Sequence, residues 1–189
     1  MREAGRTHDA AELYLDAVRA WTSLGDDRGL PRSLAAERLL ELSRGMWYLG
    51  SSDKAVDLAL AAADFAPDSG TTTADTVAFL LEVDRPADAR DAVHRGLDAP
   101  ELGELDKVYV SLWVLADAHR RGEAPDHQAA AYLAGRHGDL WYERLAEAAS
   151  GHLAWRALAA AAAARPERAE LAFYGPSLGL DPEARDPAS

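Results

Sequence analysis

Gly50, Ala55, Ala62 and Pro67 set the terms on which this chain can fold: a glycine, an alanine five residues on, an alanine seven further and a proline five beyond. Residues seven apart lie two turns apart on one helical face, and alanine at both lets a neighbouring helix approach closely. Gly50 suits a tight turn because it tolerates positive φ, and Pro67 stops the following helix. The spacing returns as Asp84, Ala89 and Gly96 with Pro100 one residue early, and again as Ala149, Ala154, Ala161 and Pro166. Gly5, Ala10 and Ala17, with Tyr14, repeat part of it, so the chain is expected to enter mid-repeat. A period near 34 residues is the mark of stacked helical hairpins.

Glycine, proline and capping residues divide the chain into helices. The expected helices cover about 8–23, 31–49, 52–66, 71–83, 87–98, 104–121, a short segment ending near Gly135, 139–148, 151–165 and a final helix opened by Pro166. The fold class is therefore all-α, a helical-hairpin solenoid of 9–10 helices forming one domain over 1–174. Its partial repeat spans 1–24, its repeats about 32–69, 70–103, 104–137 and 138–166, and a capping helix 167–174. Residues 175–189, rich in turn formers and charge, are expected to be a disordered tail. The hairpin at 104–137 is degenerate: Gly122 sits at the turn, but His127 takes the first small position.

The hairpin AAERLLELSRGMWYLGSSDKAVDLALAAADFAPD resembles the tetratricopeptide repeat through Gly50, Ala55, Ala62 and Pro67. It departs from that family at Ser43, where Gly or Ala is usual, and at Leu39, where Trp is common. The context AWTSLGDDRGLPRSLAAERLLELSRGMWYLG is also similar to repeats in the C-terminal sensor arms of large ATP-binding bacterial activators of the LuxR-tailed type. The first resemblance implies a right-handed superhelix whose first helices line a concave groove for a peptide or partner protein. Carried onto this chain, the groove takes Glu37, Leu40, Arg44, Trp47 and Tyr48, and, anchored on Gly122, Tyr109 and His119. Trp, Tyr and Arg combine contact area with directional polar groups, the chemistry of binding hot spots.

The net charge of −12 opposes direct nucleic-acid binding and favours a basic partner segment, with Asp98, Glu101, Glu104 and Asp106 as an acidic connector. The absence of Cys excludes disulfides and thiolate chemistry and fits a reducing compartment, so a cytoplasmic location is expected. No run approaches the roughly 20 apolar residues of a membrane span. Arg far outnumbers Lys, present only as Lys54 and Lys107, and Ile and Asn are absent, a codon signature of a GC-rich bacterium.

His8, His94, His119, His127, His137 and His152 form no HExxH or i, i+4 pair, so no metal is assigned. No phosphate-cradling loop, dinucleotide fingerprint or nucleophile elbow occurs, and no cofactor is expected. The function expected is a non-catalytic interaction scaffold. The alternatives are a small-effector-sensing regulatory arm and, last, an enzyme on a helical scaffold. The N-terminal edge, with Leu13, Tyr14, Ala17 and Trp21, is where a partner or second copy would dock to form a homodimer.

Overall fold

The computed structural model describes residues 32–180, together with Asp9, Leu13 and Asp16, each in helical conformation. The expected helix at 8–23, the N-terminal edge and residues 181–189 otherwise lie outside the described residues. Residues 32–180 form nine helices and no strand: α1 (Arg32–Tyr48), α2 (Ser52–Phe65), α3 (Gly70–Glu82), α4 (Pro86–Asp98), α5 (Glu104–Arg121), α6 (His127–Ala134), α7 (Trp141–Ala149), α8 (Trp155–Ala161) and α9 (Arg165–Ser177). The chain divides into two compact units. The first holds 32–92 and 99–102 of the described residues, the second 93–98 and 103–180, so the division passes through α4.

In the first unit α1 packs along α2, α2 along α3, and α1 also meets α3. The alanines of the spacing do what their size allows: Ala55 and Ala62 are fully buried, beside Ala59 and Leu58 on the same helix. Because the helices approach so closely, side-chain hydroxyls reach across. Ser43 of α1 donates to the Ala55 carbonyl at 2.7 Å, and Thr76 of α3 donates to the Ala59 carbonyl at 3.3 Å. Ser43 and Thr76 are both fully buried, and each would be costly without such an acceptor. The departure at Ser43 thus joins two helices, while Leu39 fills its position as a fully buried aliphatic.

The turns repeat as well. Gly50 sits at φ 79° and Gly122 at φ 68°, the left-handed region that glycine enters without strain. Asp84, the counterpart of Gly50 in the next copy, adopts φ 61°, a conformation that Asp tolerates better than most residues. Ser69 caps α3, its hydroxyl accepting the Thr72 N–H at 3.2 Å.

The second unit is built around α5, which packs against α6, α7 and α9. Lys107, only 7% exposed, sends its ammonium group to the Leu97 carbonyl at 3.1 Å. A cation there complements the carbonyl end of α4.

Three expectations are corrected in this unit. In the copy read at Ala149, that residue ends α7 instead, and the left-handed turn falls at Gly151, φ 79°. The helix expected over 151–165 is only Trp155–Ala161. Alanine favours helix throughout this run, but the Glu167 carboxylate accepts the N–H groups of Ala163 at 2.7 Å and Ala164 at 2.8 Å, which recruits them to the start of α9. Finally, α9 continues through Gly175, Pro176 and Ser177, three residues assigned to the tail.

Candidate functional site

The sequence-derived groove residues fall in both units. Glu37, Leu40, Arg44, Trp47 and Tyr48 are on α1 of the first; Tyr109 and His119 are on α5 of the second. On α1, helical periodicity turns Leu40 inward, and at 3% exposure it packs rather than displays its side chain. Glu37 is exposed. Arg44 lies 3.8 Å from Asp75 of α3, both side chains about half exposed (46% and 50%). Such a pair contributes roughly 0–1 kcal/mol and leaves the guanidinium accessible. Trp47 is half-buried, its ring edge-on to Phe79 of α3 with centroids 6.5 Å apart. It is therefore both a packing residue and a partly exposed one.

Tyr48 differs: 85% of its surface is exposed, and Leu49 beside it is 43% exposed. The chain turns sharply here, Gly50 donating its N–H to Trp47 and Ser51 to Met46, and Tyr48 and Leu49 stand exposed at the end of α1. The result is a compact surface of Arg44, Trp47, Tyr48 and Leu49, mixing a cation, two aromatic rings and an aliphatic side chain.

In the second unit Tyr109 is one anchor of a polar aromatic cluster that sequence reading missed. Its hydroxyl donates to Glu170 of α9, 3.0 and 2.9 Å from the two carboxylate oxygens. Trp141 of α7 donates its indole N–H to the same carboxylate at 2.7 Å. One turn along α5, Trp113 donates to the Tyr174 hydroxyl at 2.9 Å. The Tyr109 and Tyr174 rings lie 6.4 Å apart. Both α5–α9 bonds join residues 61 apart in sequence, so the two helices run parallel and in register. Burial, followed by the Glu170 carboxylate, pushes the Tyr109 phenol well above its ordinary range. Burial raises Tyr174 to about 12. The only sequence signal was a pair of i, i+4 polar aromatics on α5 and a Glu–Tyr pair at the same spacing on α9; nothing in one sequence says they meet.

Leu112, fully buried, and Ala116, 8% exposed, continue the inward face of α5. His119 is exposed but lies against the backbone of Gly179, where an added Cβ would meet its ring at 2.5 Å. Beside it, Trp155, Leu171, Ala172, Gly175, Pro176, Gly179 and Leu180 surround a cavity of about 460 Å³. Gly175 lets the Trp155 indole settle on α9, since a Cβ there would stand 3.1 Å from the ring.

Two further carboxylates are held by hydrogen bonds. Asp126 caps α6 by accepting the Ala129 N–H at 2.9 Å and also meets His94 Nε2 at 2.9 Å. Burial alone would raise its pKa; these bonds prevail and hold it low. The Tyr132 hydroxyl, donating at 2.6 Å, holds the Glu104 carboxyl low; burial opposes this, and Arg136, also bonded to it, reinforces it. Glu104 of the acidic connector is thus already engaged. The rings of His137 and His152 lie 5.3 Å apart, while His137 Nδ1 is 3.2 Å from Glu147. Among the described residues no group of three or more His, Cys, Asp or Glu side chains is placed to hold a metal ion. Among them, too, no helix is long and apolar enough to cross a membrane.

No family model matches the chain, and comparison with curated proteins and with solved structures returned no match.

Proposed function

We propose that this chain is a non-catalytic interaction scaffold, its hairpins units of a tetratricopeptide-like superhelix, binding a peptide or partner protein through the C-terminal end of α1. The observation that carries the reading is Tyr48: an aromatic side chain 85% exposed beside the partly exposed Leu49, flanked by Arg44 and Trp47. Surface aromatics of this kind gain contact area on binding with little loss of side-chain entropy. Buried small residues at Ala89 and Gly96, as at Ala55 and Ala62, and left-handed turns at Gly50, Asp84 and Gly122 support the repeat reading, although Ala154 of the last copy is exposed. The net charge of −12 favours a basic partner segment by steering its approach.

The test is capture from a native-host lysate by the wild type and by a Tyr48→Ala, Arg44→Ala variant of unchanged helicity. A protein retained by the wild type and lost from the variant is the expected result. Equal retention by both removes the α1 surface from the reading.

One observation favours a second reading, a small-effector-sensing arm. The cavity beside Trp155 has a volume of about 460 Å³, within the roughly 300–1,000 Å³ of small-molecule sites, and its lining is mostly apolar. A metabolite that raises the melting temperature of the wild type but not of a Trp155→Ala variant would establish it.

A further inference from the structure

We infer that the face of α5 and α7 beneath α9 is a helix-receiving site occupied in cis, and that in trans it takes a partner helix carrying a glutamate and, one turn later, a tyrosine. The inference does not rest on the α1 surface, which belongs to the other unit.

The site's chemistry is read from its present occupant. Tyr109 and Trp141 converge on the Glu170 carboxylate from two different helices, at 2.9 and 2.7 Å, a pair of directed donors that specifies an acidic side chain. Four residues on, Trp113 addresses the Tyr174 hydroxyl at 2.9 Å. Residues four apart share one helical face, so a single incoming helix meets both contacts without distortion.

Its occupant is lightly held. Of the helix Arg165–Ser177, only Tyr174 and Gly175 are buried, and Phe173 is 57% exposed. By contrast α5, on which it rests, buries residues along its whole length from Lys107 to Ala118. A helix fastened by a few hydrogen bonds and little apolar burial belongs to the low-stability end of a structure, where local release occurs first. Residues 162–164 before it are non-helical, a joint at which it can swing away. A site whose competent state is a small fraction of the molecules shows an apparent affinity reduced by that fraction. The cis helix therefore sets the threshold a partner must overcome.

The test uses the full chain and a fluorescein-labelled synthetic peptide of residues 165–180 as the probe. In a Glu170→Ala, Tyr174→Ala variant the cis helix loses its anchors while Tyr109, Trp113 and Trp141 remain. This variant should bind the peptide about tenfold or more tightly than the wild type, a factor equivalent to about 1.4 kcal/mol. Adding Tyr109→Phe and Trp141→Phe should return binding to the wild-type level. Circular dichroism checks that each variant is folded. Should the double variant unfold, Glu170→Gln replaces it, with amide exchange of α9 as the readout: faster exchange in α9 and tighter peptide binding together are the expected result. A folded, anchor-free variant that binds the peptide no better than the wild type overturns the inference, as does binding indifferent to Tyr109 and Trp141. A wild-type dimer, seen by light scattering and dissociated by the peptide, would make the α9 of a second copy the occupant and overturn the assignment to a separate partner.

Discussion

Ser43 is small enough for α1 and α2 to close, and its buried hydroxyl is satisfied by the Ala55 carbonyl. Ser43→Ala keeps the close approach and loses one hydrogen bond, so it should cost only about 1 kcal/mol. Ser43→Leu must push the helices apart and should cost roughly 1–3 kcal/mol or more. Urea denaturation midpoints for the two variants give the order. The same contrast separates residues that the helical pattern alone placed on one surface. Leu40, 3% exposed, should cost about 2–5 kcal/mol on truncation to Ala. Tyr48→Ala, at 85% exposure, should stay within about 0.5 kcal/mol of the wild type. Sequence periodicity located α1 and its mixed aromatic and charged end, but a helix wheel has no outside until its neighbours are in place. That is why Leu40 was grouped with Tyr48, and why Glu170, 61 residues from Tyr109, was not found at all.

Among the helices, legibility followed punctuation. Glycines, prolines and the serines before α2 and α3 mark α1 to α5 closely, with α5 expected and found at the same residues. The alanine run 157–164 carries no such mark, and there α8 ends where a side chain from α9 takes its next N–H groups. The glycines separate two effects in a testable way. At Gly50 and Gly122 an added Cβ meets nothing within 4 Å, so Gly→Ala there bears only the cost of a left-handed backbone, roughly 1–2 kcal/mol. At Gly175 the backbone is helical, and Ala would gain up to about 1 kcal/mol of helix propensity, but its Cβ would sit 3.1 Å from the Trp155 ring. Gly175→Ala alone should therefore destabilise or be neutral, whereas in a Trp155→Ala background it should stabilise. Thermal denaturation of the four-protein cycle measures that reversal.

For the molecule as a whole, the two compact units differ in how protons act on them. Among the described residues, the shifted groups Glu104, Tyr109, Asp126, Tyr132 and Tyr174 lie in the unit of residues 93–98 and 103–180. Burial, with hydrogen bonds to Glu170 and Glu104, raises Tyr109 and Tyr132, and burial raises Tyr174 to about 12. A raised phenol contributes stability that is complete below its unfolded pKa, near 10, and is lost as the pH climbs through the folded value. The sign reverses for the carboxyls: Glu104 and Asp126 are held low, so their contribution is complete above about 4 and disappears as the pH falls through their folded values. This unit should thus lose stability at both extremes. On the alkaline side the first consequence is at α9, because ionising Tyr109 places a phenolate against the Glu170 carboxylate 2.9 Å away. Pulsed amide exchange after stepping the protein to successive pH values from about 8 to 12 should show protection lost first in α9 and α5, while α1 and α2 keep theirs over the same steps. A Tyr109→Phe variant should move the α9 loss to higher pH, since one ionisation that drives it is gone. Simultaneous loss of protection in α1, α2, α5 and α9 would instead mean that the two units unfold as one cooperative body.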